Sequence, residues 1–248
     1  MRALFAAFLL FCSSTFASFF SIGAGPEGGH GSFRLGADAG YHATRGASAG
    51  MSFRYGLHDF LDRQNEYPEF TELELLKARV EVTASDKRFW IDEFTLVRFT
   101  RLQPLTSKWA ELSWTVDAGF RRIREAICVD CGAGTLNAGL GAAVTPVESL
   151  PIDLWLLVET EFVGSPSFSG FPIKPSIGPR AGIRFRLAPW LNGMVFAAYR
   201  YRFAAADTDI VQFAAEWRLS LDPSFALNAR LLRLSDGWQG TAGLFLYY

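Results

Sequence analysis

The chain has 248 residues, a formal net charge of -1 and 50% hydrophobic residues. This charge balance excludes the strongly basic composition expected of a nucleic-acid-binding protein. The aromatic share of 15%, with 23 Phe, 7 Trp and 7 Tyr, is high and suits β-strands and membrane interfaces.

The first residues have the pattern of a signal peptide. Arg2 precedes an apolar run at 3–11, and Thr15 and Ala17 form a small-x-small cleavage site. The apolar run is too short for a spanning helix, which needs ~20 residues. We therefore expect a signal peptide at 1–17, a flexible Gly-rich lead-in at 18–31 and a mature domain at 32–248.

The mature sequence offers no good candidate for a membrane helix. Its longest uncharged stretch, 131–147, contains four glycines and a proline, which disfavour a helix. An exported, apolar chain without helical spans can satisfy its backbone in lipid by forming a closed barrel. This argument favours a transmembrane β-barrel.

Side chains alternate with a period of two over most of the chain, as in β-strands. Val211, Phe213 and Trp217 fall on one face of such a segment, and Glu216 and Arg218 fall on the other. A soluble sandwich could show the same alternation, but the segments match the ~9–11 residues of a tilted membrane strand. Aromatic residues near the segment ends resemble the interfacial girdles of barrels; they are Tyr41, Tyr55, Trp90, Trp114, Trp217, Trp238 and Tyr248.

The pattern predicts an all-β fold, a transmembrane antiparallel up-and-down β-barrel of about twelve strands. The predicted strands lie near 32–42, 47–56, 71–83, 88–101, 111–122, 132–145, 152–163, 177–187, 190–203, 210–220, 225–234 and 238–248. The last one ends in Tyr248 with apolar residues at alternate positions, which resembles the signal read by the barrel assembly machinery. The long 57–70 segment falls where a short turn is expected. Either it is a genuine loop or the strand count is off there.

The other face of the predicted strands is densely charged, and charges avoid lipid because Arg or Lys costs ~2–4 kcal/mol at mid-bilayer. One hypothesis is an arginine-lined pore for anions. The favoured alternative is an ion-pair network that fills a small lumen, with Glu159 and Glu161 beside Arg184 and Arg186. The predicted inward set is Arg34, Arg54, Arg79, Asp117, Asp153, Glu159, Glu161, Arg184, Arg186, Arg200, Arg202, Glu216, Arg218 and Arg230.

Few residues suggest chemistry. Cys128 and Cys131 form a Cys-Val-Asp-Cys motif, which could be redox-active but is better explained as a short structural disulfide in an oxidising envelope. A barrel hydrolase would need a nucleophile beside a His base, and no catalytic spacing joins His42 or His58 to a serine. We therefore expect no catalytic, cofactor-binding or metal-binding residues.

One series of motifs is similar to a known family. It consists of Phe-Arg-Tyr-Gly-Leu-His-Asp-Phe-Leu-Asp at 53–62, Tyr-Pro at 67–68, Leu-Glu at 73–74, Asp-Glu-Phe-Thr-Leu-Val at 92–97 and Leu-Ser-Trp-Thr-Val-Asp-Ala-Gly at 112–119. The series resembles the C-terminal barrel region of Gram-negative proteins related to Lnb-type lipoprotein N-acyltransferases. In that family a catalytic domain precedes the barrel, and residues 18–31 leave no room for it. The resemblance therefore implies the membrane module alone, and no catalytic residue is transferred.

These observations predict a non-enzymatic protein of the bacterial outer membrane that anchors or scaffolds an envelope partner. The expected partners are outer-membrane lipid, the assembly machinery during biogenesis and a periplasmic envelope protein. The 57–70 segment is the candidate for partner contact, through His58, Asp59, Asp62 and Tyr67. The alternatives are a small anion-selective pore and a barrel-type lipid hydrolase or acyltransferase that uses His42 or His58.

Overall fold

The computed structural model describes residues 32–62, 70–105, 112–125, 127–147, 150–203, 209–234 and 237–248. The predicted signal peptide at 1–17 and lead-in at 18–31 lie outside the described residues. The described chain forms twelve strands. They are β1 (Phe33–His42), β2 (Gly46–His58), β3 (Thr71–Thr83), β4 (Phe89–Arg101), β5 (Ser113–Glu125), β6 (Cys128–Val144), β7 (Ile152–Gly164), β8 (Ile173–Ala188), β9 (Leu191–Arg202), β10 (Ile210–Asp222), β11 (Phe225–Leu234) and β12 (Gly237–Tyr247).

The strands form one closed antiparallel barrel in which each strand pairs with its neighbours in sequence. The first and last strands close the ring, with Arg34 opposite Tyr247 in the register of β1 and β12. Closure leaves no strand edge unpaired, which is the requirement for a sheet in lipid. The predicted fold class and strand number are confirmed.

Strand boundaries differ from the prediction mainly around two connections. β6 begins at Cys128 and β8 begins at Ile173, so the connections predicted at 123–131 and 164–176 are shorter than expected. Part of the backbone in each segment continues the strand pairing, since Ile123 pairs with Cys131 and Phe162 pairs with Pro175.

Residue exposure alternates along the strands, with the apolar residues outside. In β7, Leu154, Leu156 and Val158 are exposed. The alternate residues Leu157 and Glu159 are buried. The same alternation leaves a band of large hydrophobic side chains on the outer surface of the barrel. Such a band is stable in hydrocarbon and not in water. Within the described residues, no helix is long and apolar enough to cross a membrane.

The alternation is interrupted by β-bulges, including extra residues in β2, β3, β4 and β6. In β3, Leu76 has a positive φ of 46° and lies at a register shift with β2, where Phe53 pairs with Ala78 but Tyr55 pairs with Leu75. A bulge inserts one residue and moves the following side chains to the opposite parity. Glu74 and Lys77 consequently both line the lumen, although a strict period of two would separate them.

Both chain termini of the barrel lie at one end, which we call the terminal end. The connections 59–70 and 102–112 also lie at this end and are the longest in the barrel. The 59–70 connection is therefore a genuine loop, and the predicted strand count stands. Its first residues, 59–62, fold into the barrel and do not extend away from it. We call residues 59–62 the plug.

Candidate functional site

The lumen contains a cavity of about 320 Å³. At the terminal end, Asp59, Phe60 and Leu61 of the plug form its floor. Toward the opposite end it reaches Arg124, near the last residues of β5, and Gln239, near the start of β12. The plug therefore borders this cavity at the terminal end of the barrel.

The two carboxylates of the plug are held by arginines from three strands. Arg54 Nη1 donates to Asp59 Oδ2 at 3.0 Å, and Arg54 Nη2 donates to Asp62 Oδ2 at 2.9 Å. Arg34 Nη1 donates to Asp59 Oδ2 at 2.6 Å. Arg218 Nη1 contacts Asp59 Oδ1 and also donates to Asp62 Oδ1 at 2.6 Å. Hydrogen bonds between charged groups of this kind are strong and directional.

Two further groups complete the arrangement. Tyr247 donates its hydroxyl proton to Asp62 Oδ1 at 2.8 Å. Glu74 Oε1 lies 3.7 Å from Arg34 Nη2 and 3.7 Å from Arg54 Nη1. We call Arg34, Arg54, Arg218, Asp59, Asp62 and Glu74 the plug cluster.

Formal charge balances among the six groups of the plug cluster, and Glu74 Oε2 also lies 3.1 Å from Arg98 Nη1 and 3.6 Å from Lys77 Nζ outside it. Balance matters because the side chains of Arg54 and Asp62 are each only 1% exposed, and an unpaired charge there is costly. Burial disfavours ionisation of Asp59, but the positive charges, that of Arg218 first, outweigh burial. The pKa of the Asp59 carboxyl is therefore well below its usual range.

The middle residues of the plug are apolar and are also buried. Phe60 is 5% exposed and Leu61 is 2% exposed. Phe60 belongs to an apolar cluster inside the barrel that includes Leu102 and Trp155. The carbonyl oxygen of Leu61 accepts a hydrogen bond from Asn192 Nδ2 at 3.3 Å. Polar and apolar contacts thus both hold the plug in the lumen.

The apolar cluster follows one row of the sheet. Trp155, Gly182, Phe196, Ala214 and Leu232 are successive cross-strand partners from β7 to β11. Gly182 makes room for this row, since a Cβ there would lie 2.5 Å from Cζ2 of Trp155. Glycine is thus required by the close packing of an aromatic ring against the wall.

A second group of ion pairs lies on β7, β8 and β9. Arg200 Nη2 lies 2.6 Å from Glu159 Oε2, and its Nη1 lies 3.3 Å from Glu161 Oε2. Arg180 Nη1 lies 3.2 Å from Glu159 Oε1. The sequence placed Glu159 and Glu161 on a strand beside Arg184 and Arg186. β7 and β8 are indeed paired, but the two glutamates form these ion pairs with Arg180 and Arg200.

The strand register explains which arginine each carboxylate of β7 contacts. Because β7 and β8 are antiparallel, Arg184 on the later part of β8 faces Asp153 on the early part of β7. Arg184 Nη2 accordingly lies 2.7 Å from Asp153 Oδ2, and Arg186 Nη2 lies 3.6 Å from the same oxygen. Glu159 pairs in register with Gly178. The sequence predicted which face of the sheet these residues occupy but not their position along the barrel axis.

A third group of ion pairs lies toward the opposite end, on β1, β3, β4 and β5. Arg79 Nη2 lies 2.7 Å from Asp38 Oδ1, and Arg79 Nη1 lies 2.8 Å from Asp92 Oδ2. Arg124 Nη2 lies 2.6 Å from Asp92 Oδ1 and 2.8 Å from Glu81 Oε2. The predicted set omitted Asp92, Glu81 and Arg124. A bulge at Asp92 breaks the period of two in β4, and Arg124 lies beyond the predicted end of its strand at 122.

The predicted inward set can be compared with this geometry. Its members are buried or line the cavity, except Arg186, which is half-buried and pairs with Asp153. Asp117 accepts a hydrogen bond from Asn137, and Glu216 faces Arg230 across β10 and β11. Asp117, Glu216 and Arg230 line the cavity, and Arg202 is buried on β9.

The predicted partner-contact residues lie elsewhere than expected. His58, Asp59 and Asp62 are 6%, 9% and 2% exposed and face the interior. In this conformation they offer no surface to a partner, because the lumen arginines attract the carboxylates inward. Tyr67 lies outside the described residues.

Cys128 and Cys131 are joined by a disulfide at the start of β6. The bond encloses Asp130, which has a positive φ of 65°. Asp130 Oδ1 lies 3.1 Å from Arg122 Nη2 and also contacts Arg45. The disulfide therefore lies at a strand start, in a segment for which the sequence predicted a connection.

The two histidines considered as catalytic bases have separate partners. His42 Nε2 lies 3.0 Å from Glu81 Oε1, and His58 Nε2 lies 2.9 Å from Thr71 Oγ1. In the part of the chain that the structure describes, no group of three or more His, Cys, Asp or Glu side chains is placed to hold a metal ion.

Solved structures similar to this chain are outer-membrane barrels. The NanC porin has a TM-score of 0.52 at 6% identity, covering 86% of this chain and 98% of that one. An outer-membrane channel from Pseudomonas putida F1 has a TM-score of 0.47 at 9% identity, covering 87% and 94%. A loop-deletion mutant of OmpT, an outer-membrane protein of Vibrio cholerae, has a TM-score of 0.41 at 8% identity, covering 87% and 97%. At such low identity, the likeness to the porin shows the fold alone.

No curated protein matches the sequence. The matches that were found do not connect the chain to Lnb-type lipoprotein N-acyltransferases, so that resemblance stays a prediction. A family model matches residues 24–247, which is nearly the whole predicted mature chain. The chain therefore belongs to the family described as a domain of unknown function, DUF7840.

Proposed function

We propose that this protein is a non-enzymatic barrel of the bacterial outer membrane that anchors or scaffolds an envelope partner and is closed at rest. The observation that supports the closed resting state most directly is the plug. Residues 59–62 occupy the terminal end of the lumen, and buried arginines hold both of their carboxylates. A barrel closed in this way presents an apolar outer surface to lipid but conducts no solute.

The interior supports the same proposal. Acidic and basic side chains occur together on the lumen wall, and several are paired at 2.6–3.3 Å. An open pore for anions is better served by unpaired positive charge. The ion pairs here take the place of an apolar core and narrow the lumen.

Planar-bilayer recordings of the purified, folded protein test the closed state. We expect no channel steps from the wild type, and steady conductance would contradict the proposal. Cross-linking in cells tests the anchor role. We expect a protein that is captured with this barrel and not with an unrelated outer-membrane barrel of similar abundance, whereas recovery of the barrel alone would contradict that role.

A further inference from the structure

We propose that Arg34, Arg54 and Arg218 form an anion-binding site that the chain's own Asp59 and Asp62 occupy in the closed state. Displacement of the plug then opens the lumen to small solutes that carry carboxylate or phosphate groups. This inference goes beyond the anchor role proposed above, since it assigns the barrel a second, gated activity.

The site belongs to the barrel wall, whereas its occupant belongs to a loop. The three arginines lie on β1, β2 and β10, and Tyr247 lies on β12. Their donors converge on carboxylate oxygens within 2.6–3.0 Å. Guanidinium groups bind carboxylates and phosphates through the same paired N–H geometry. If the plug leaves, these donors remain on the strands and can bind another anion.

The barrel does not need the plug for strand pairing. β2 and β3 are adjacent, and His58 pairs with Leu73 across them. Two residues are enough to connect adjacent antiparallel strands, whereas this connection runs from 59 to 70. Residues 59–62 can therefore move out of the lumen while β2 and β3 stay paired.

The cavity provides the rest of a pathway. Its floor is the plug, and it extends past Lys77 and Arg200 to Arg124 and Gln239 near the opposite end. Removal of the floor joins this space to the terminal end. Barrels of modest strand number leave room for small solutes only.

Charge sets the selectivity of the opened lumen. With the plug in place, three arginines face Asp59, Asp62 and Glu74, and the formal charges cancel. Without the plug, Arg34 and Arg54 keep Glu74, which also pairs with Arg98 and Lys77, so this group of side chains carries a net positive formal charge. A constriction with this charge favours anions.

The test replaces the plug carboxylates by isosteric amides in Asp59→Asn/Asp62→Asn. Loss of two buried partners favours departure of the plug, and we expect the open fraction in planar bilayers to rise more than about a hundredfold. Currents in a KCl gradient should reverse near the chloride potential, and inorganic phosphate should reduce them. Asp222→Asn is the matched control, because Asp222 is the exposed last residue of β10 at the same end and accepts a hydrogen bond from the backbone N–H of Ser224.

Phe60→Ala is added to the double variant to remove the apolar contact of the plug. A shift in gel migration on heating verifies that each variant folds. If both variants fold but neither conducts, the inference is overturned and the closed-barrel proposal stands. Cation-selective currents would also overturn it. Conductance by the wild type would instead contradict the closed resting state.

A further variant tests the arginines themselves. Arg218→Gln in the open double variant should move the reversal potential toward zero and weaken inhibition by phosphate, because one of the three charges is removed. Unchanged selectivity and inhibition would show that the arginines do not form the anion site.

Discussion

Replacement of Arg54 by Met tests the charge balance of the plug cluster. The Arg54 side chain is 1% exposed and lies 3.0 Å from Asp59 and 2.9 Å from Asp62. Its loss removes one guanidinium partner from both plug carboxylates, and removal of one partner from a buried pair costs ~3–5 kcal/mol. Because Arg34 and Arg218 still contact Asp59, we expect the free energy of unfolding to fall by the lower figure, about 3 kcal/mol. This free energy is measured by guanidinium-induced unfolding of the protein in lipid vesicles, with tryptophan fluorescence as the signal.

The double variant Arg54→Met/Asp62→Asn restores the balance of charge. It should be more stable than the sum of the two single variants predicts, by ~0.5–3 kcal/mol. Arg233→Met is the matched control, because Arg233 is exposed on the outer face and lies over the ring of Trp238. Its loss should cost at most ~1 kcal/mol. A cost for Arg54→Met no larger than that of Arg233→Met, or strict additivity in the double variant, would refute the reasoning.

Three other predictions concern packing, the disulfide and acid. Gly141→Ala should destabilise the barrel by ~1–3 kcal/mol because a Cβ there would lie 1.9 Å from a backbone oxygen of the next strand. A Cβ at Gly134 on the same strand would meet its nearest atoms at 4.0 Å, an ordinary contact, so Gly134→Ala should be nearly neutral in the same unfolding assay. Cys128→Ser/Cys131→Ser should fold and lose about 2 kcal/mol, as expected for a very short closed loop; failure to insert into vesicles would contradict this. The pKa of the Asp59 carboxyl is lowered in the folded state, so its contribution is complete above the unfolded pKa of ~3.9 and is lost as pH falls through the lower folded value. Unfolding titrations at decreasing pH should show this loss in the wild type and less of it in Asp59→Asn.

The plug shows where a sequence pattern stops being informative. Asp59 and Asp62 follow a strand and resemble an ordinary polar loop, so the sequence suggested a surface for a partner. Their burial depends on Arg34, Arg54 and Arg218, which are between 5 and 159 residues away in sequence. Complementary charge at such separation leaves no local signal. Only the closed barrel brings these groups together.

The sequence alone determined the barrel, its twelve strands and the face on which the charged residues lie. It could do so because alternation is a local property of the chain: charge is costly in lipid and apolar groups are stable there. The tertiary structure decided which charges pair, as Arg184 with Asp153 and Arg200 with Glu159, and it decided that residues 59–62 close the lumen. Register, bulges and strand tilt set these contacts, and they depend on every strand of the ring simultaneously.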